Sequence, residues 1–123
     1  MDSLNNKYYE GFEGEPEIQF IKSSSNGDRL VLSLWDGYFN DIMELIKPLE
    51  SGWVGLAYYY HLCIGWEEER PWKMPSPNDA LQQLKALDTD NIRFLKSKDV
   101  LVDICELLAE AITQNDTVWI AKD

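Results

Sequence analysis

The chain has 123 residues, 45% of them hydrophobic and 12% aromatic, with 22 acids against 11 bases for a net charge of −11. That composition supports one folded domain with a real core and excludes a disordered acidic tail, which lacks aromatic and branched apolar residues. Residues 1–61 hold 10 acids and 4 bases and residues 62–123 hold 12 and 7, so acidity covers the whole domain, repelling nucleic acid and anionic lipid and attracting basic surfaces.

Residues 1–16 carry Gly11, Gly14 and Pro16 with no clean period. They are expected to form an irregular arm anchored by Tyr8, Tyr9 and Phe12. The run EIQFIKSSSNGDRLVLSLW follows. Ile18 and Phe20 alternate with polar residues, as do Leu30, Leu32 and Leu34, and Asn26-Gly27 supplies the positive φ angles of a tight turn, so the run predicts a β-hairpin.

The period then changes to 3.6. Phe39, Ile42, Met43, Ile46 and Leu49 fall on one helical face, with Asp36 or Asn40 as the cap and Pro48 as the stop. In residues 53–64, WVGLAYYYHLCI, the tyrosines and branched residues favour strand. The lack of alternation and the stop at Gly65 tip the reading to a buried helix, with strand the alternative. PSPNDALQQLKAL reads as a helix in which Ser76 caps, Pro77 takes the first position and Asp79 completes a capping box. Ala80, Leu81, Leu84 and Leu87 make its buried stripe. A last helix spans residues 98–114, with Leu101, Ile104, Leu108 and Ile112 inward and Val100, Leu107 and Ala111 beside them. TVWIA is a short strand able to join the hairpin. The expected fold is a single α+β domain over residues 1–123, a small antiparallel sheet of hairpin and C-terminal strand packed against about four helices.

The N-terminus MDSLNNKYYEGFEGEPE has no apolar signal-peptide core, and no stretch reaches membrane-spanning length. Cys63 and Cys105 are 42 positions apart with no CxxC, and read as reduced thiols of a cytoplasmic protein.

No catalytic constellation emerges. His61 is the sole imidazole, and it reads as a hydrogen-bonded structural histidine. DTDNIRFLKSKD has acids at calcium-loop positions one, three and twelve but Arg93 where the loop needs glycine. There is no phosphate loop and no GxSxG. The chain is therefore expected to be no enzyme and to hold no metal or cofactor.

Two acidic features remain. Asp99, Asp103, Glu106 and Glu110 follow helical spacings of four, three and four. Like charges so placed weaken a helix by about 0.2–0.5 kcal/mol per pair, which suits either a solvated face with cations such as Lys85 or Arg93 opposite, or a docking ridge for a basic partner. In IGWEEERPWKMP, Glu67, Glu68 and Glu69 stand between Trp66 and Trp72. Aromatic anchors beside acids are what an interface with a basic protein uses, although a core pair of tryptophans with solvated glutamates is the plain alternative.

The run WDGYFNDIMELIKPLESGWVGLAYYYHLCIGWEEERPWKMPSPNDALQQLKAL with the final VWIAKD, about residues 35–121, resembles the small immunity proteins of bacterial contact-dependent growth inhibition and related polymorphic toxin systems. The resemblance implies a cytoplasmic antidote that binds the toxin domain of a delivered effector, often a nuclease with a basic cleft, using acids in place of phosphates. It carries over no catalytic residues. The toxin-binding candidates are Trp66, Glu67, Glu68, Glu69, Trp72, Asp99, Asp103, Glu106 and Glu110, from charge and aromatic placement. The rival readings are an adaptor or subunit of a bacterial assembly, and a small-molecule site around Tyr58, Tyr60, His61 and Trp66.

Overall fold

A computed structural model describes residues 3–62, 65–66 and 71–122. The hairpin forms where alternation places it. Strands β2 (Glu17–Ser23) and β3 (Arg29–Trp35) pair antiparallel, with Phe20 opposite Leu32 and Ile18 opposite Leu34. Gly27 takes φ 91° in the turn, a conformation that costs a side-chain-bearing residue but not glycine. The C-terminal strand β5 (Thr117–Lys122) pairs antiparallel with β2, placing Ile120 beside Phe20.

The sheet is larger than expected, and it is mixed. Residues expected to be an irregular arm begin with strand β1 (Ser3–Tyr8), which pairs parallel with β3. Its sequence, SLNNKY, shows neither alternation nor β-branched residues, so pairing rather than propensity fixes it. The remainder of the arm does turn, and Tyr8 and Phe12 anchor it, Tyr8 buried and Phe12 stacked on Trp35 at 4.4 Å. A two-residue strand β4 (Trp72–Lys73) pairs with β5, giving the order β1-β3-β2-β5-β4.

Helix α1 (Asp36–Met43) ends well before Pro48. The residue before a proline avoids helical angles, and the backbone tightens early, Leu45 donating to the Ile42 carbonyl and Ile46 to Met43. Ile46 stays buried, whereas Leu49 is exposed in a turn closed against Gly52. Residues 55–61 form helix α2 (Gly55–His61), the favoured of the two readings. Helix α3 (Pro77–Lys85) starts as its sequence dictates, with the Ser76 hydroxyl accepting from the Asp79 amide.

Helix α4 (Leu95–Gln114) begins three residues earlier than its periodicity suggests. Its start is capped from a distance. The Asp41 carboxylate, on α1, accepts from the backbone of Arg93 and Phe94 at 3.0 Å and from the Ser97 hydroxyl at 2.8 Å. Its end is a left-handed Asn115. The buried stripe runs through Val100, Leu101, Ile104, Leu107, Leu108 and Ala111, while Ile112, expected inside, is exposed. The rotation from Leu108 to Ile112 carries its side chain past the edge of the sheet-facing stripe.

The core lies between these helices and one face of the sheet, where Ile18, Phe20, Leu32, Leu34, Val118 and Ile120 meet Phe39, Ile42, Ile104 and Leu108. Among the described residues no helix is long and apolar enough to cross a membrane.

Candidate interaction site

The acidic stripe of α4 lies beside β1. Two of its four members, Asp103 and Glu110, are held by lysines of the sheet. Lys7 Nζ is 3.4 Å from Asp103 Oδ2, and the Tyr8 hydroxyl donates to the same oxygen at 2.8 Å. Burial pushes the Tyr8 hydroxyl far above the ordinary phenol range, and the bond to Asp103 and the nearby Asp99 and Glu106 charges add to it. Tyr8 therefore stays a neutral donor at physiological pH. At the other end, Lys22 Nζ is 3.5 Å from Glu110, 3.6 Å from Asp116 and 2.8 Å from the Gln114 side-chain oxygen.

The compensating cations are thus Lys7 and Lys22, not Lys85 or Arg93. Arg93 instead gives its backbone to Asp41, and Lys85 lies near the half-buried, free Cys105, whose thiol is raised by burial against the pull of that lysine. Asp99 and Glu106 form no ion pair among the described residues and remain exposed. They are the open half of the stripe.

Lys22 also protects a buried charge, since the Asp116 side chain is 5% exposed. Lys22→Met is expected to cost about 2 kcal/mol, because it strands that carboxylate without a cation. Urea denaturation would measure it, and adding Asp116→Asn should return part of the loss. A single Lys22→Met variant as stable as the native chain would show the pair to be inert.

The second feature is aromatic. Gly65 takes φ 79°, and a Cβ there would come 3.0 Å from the Trp72 ring, so only glycine allows the two to close up. Trp66 is 0% exposed, packed edge-on to Phe39 at 5.8 Å and tilted on Trp72 at 5.5 Å. It is a core anchor that reaches the surface only through the rings over it. Trp72, 8% exposed, faces outward enough to wall a recess.

Tyr59 lies 4.7 Å from Trp72 at an interplanar angle of 51°, and Tyr58 meets Tyr59 at 5.2 Å and 86°. With Met74, Asp79 and Ala80 these rings line a cavity of about 180 Å³ between α2, α3 and β4. Gln83 fixes that gap. Its side chain accepts from the Leu56 amide and donates to the Val54 carbonyl, both at 2.9 Å, clamping the start of α2 onto α3.

Comparison with family models, curated proteins and solved structures gives no significant match in any of the three.

Of the candidate residues, Trp66 and Trp72 come together, and Asp99, Asp103, Glu106 and Glu110 share one face of α4. Glu67, Glu68 and Glu69 lie outside the described residues, as does Cys63. Of Tyr58, Tyr60, His61 and Trp66, Tyr60 meets His61 at 5.1 Å and Trp66 at 6.4 Å, while Tyr58 lines the recess beside Tyr59 instead. Tyr60 turns inward onto Phe39 and the Asn40 side chain, and His61 stacks on Trp53 at 3.7 Å. The hydrogen bond expected of His61 is not formed at its buried Nε2 among the described residues. The sequence does not mark Tyr59 and Gln83, because consecutive tyrosines and a helical glutamine carry no distinctive spacing. No group of three metal-ligating side chains occurs among the described residues.

Proposed function

We propose that this chain is a cytoplasmic immunity protein that binds and neutralises a basic bacterial toxin domain, a nuclease, by protein–protein contact and without chemistry of its own. The observation that carries this reading is the pairing of a −11 charge with an aromatic recess whose described lining includes one carboxylate and no cation. Such a surface steers a basic partner in over a long range and offers desolvated rings to slow its release. The open Asp99 and Glu106 lie on the β1 side of α4, away from the recess beside β4, and contribute to the long-range field.

Tagged protein should retain a basic effector fragment from native lysate through washes of rising salt. That fragment, expressed alone, should arrest growth, and co-expression with this chain should restore it. Recovery of no basic fragment, or of one that does no harm alone, removes the reading. Reversing Glu67, Glu68 and Glu69 to lysine should weaken capture at low salt and flatten its salt dependence. An unchanged slope would take that acidic run out of the interface.

An adaptor role is the second reading. It is favoured by the exposed apolar side chains Leu95, Val102 and Ile112 on α4. An adaptor is needed whenever its assembly is, whereas deletion of an antidote harms only cells that meet the toxin.

A further inference from the structure

We propose that the recess walled by Tyr58, Tyr59 and Trp72 receives a single arginine side chain of the basic partner, with Asp79 as its counter-ion. The inference rests on the binding role above and specifies what the partner presents. A cavity of about 180 Å³ falls below the roughly 300–1,000 Å³ of sites that enclose a drug-sized ligand, so it suits one side chain and not a whole metabolite.

The three rings meet at steep angles of 51° and 86°. A planar cation entering between them can lie over one ring face and against the edge of the next, drawn by the negative ring faces. Tyr58, 40% exposed, is the outer wall. Asp79 is the one charged residue among the described lining. It forms no ion pair among the described residues, and it is exposed in the first turn of α3. Its charge offsets the positive end of that helix, and the Ser76 hydroxyl already occupies the Asp79 amide, so the helix start does not favour an anion here. Arginine fits better than lysine because a flat guanidinium both stacks on a ring and makes two parallel bonds to a carboxylate. The acidic field of the whole chain selects a cation over the apolar side chain that the rings alone would accept.

The test is titration of the full chain with N-acetyl-arginine amide, followed by NMR at the Trp72 indole N–H and the Ala80 amide. The citrulline, lysine and methionine amides serve as controls. Saturable shifts are expected with arginine, none with citrulline, and weaker binding with lysine and methionine. Tyr58→Ala and Asp79→Asn each change an exposed residue, and each should weaken arginine binding about threefold, the scale of an exposed cation–π contact for the first and of an exposed ion pair for the second. Equal shifts from citrulline or methionine, binding by lysine as tight as by arginine, or an arginine affinity unchanged by both substitutions overturn the assignment. The two readings fail separately. A toxin captured with native affinity by Tyr58→Ala leaves the antidote role intact and removes the arginine site. Arginine binding without any toxic basic partner does the reverse.

Discussion

Asp41→Ala should lower the unfolding free energy by about 3 kcal/mol, the loss expected when several buried donors are left without their charged acceptor. Asp41 is 4% exposed and stands on α1, yet its partners are the start of α4. The residue at the α4 N-cap, Phe94, offers no side-chain cap of its own. The first turn therefore depends on a carboxylate that lies 53 positions away in sequence from that residue, joining two helices that both pack on the sheet. Burial raises the Asp41 carboxyl, but the Phe94 and Arg93 amides, the Ser97 hydroxyl and the Arg93 charge outweigh it and hold the group below its ordinary range. A carboxyl depressed in the folded state stabilises above its unfolded pKa of about 3.9, and that contribution is lost as pH falls through the lower folded value. Urea denaturation at pH 7 should separate wild type from Asp41→Asn clearly, and the gap should shrink toward pH 3. Equal midpoints at pH 7 would show that α4 starts without this cap.

The parts of the fold with local causes are legible in the chain. Asn26-Gly27 marks the hairpin, Ser76-Pro77 marks the start of α3, and the apolar spacing of α4 marks its buried face, because turn chemistry and periodicity act over a few residues. What stays hidden has its cause elsewhere in the chain. The α4 start at Leu95 depends on Asp41, and β1 depends on β3, where Ser3 pairs with Leu30. The acidic stripe can be seen in its spacing, but not that Lys7 and Lys22 answer Asp103 and Glu110, since those contacts join residues 96 and 88 positions apart (103 − 7 and 110 − 22). The recess shows the same division. Trp72 stands out by composition, while its neighbours Tyr59 and Asp79 reach it only once α2 and α3 are clamped by Gln83.

Trp66→Ala should cost about 4 kcal/mol, in the range for emptying a large aromatic from a closed core. Trp66 is enclosed by Phe39, Tyr60 and Trp72, so its removal opens a space within this ring cluster. Its indole N–H has no hydrogen-bond partner among the described residues, so the residue stabilises through packing and carries the cost of one unpaired donor. That makes Trp66→Phe informative. It removes the donor together with part of the ring, and the two effects oppose each other, so a loss of about 2 kcal/mol or less is expected. A phenylalanine variant as damaging as the alanine one would mean that the indole N–H does have an acceptor. Because Trp66 backs Trp72, the alanine variant should also loosen the wall of the recess, weakening arginine binding even at temperatures where the chain is folded. Tyr58→Ala should weaken the same binding without moving the melting temperature. The contrast separates the tryptophan that builds the site from the tyrosine that touches the ligand.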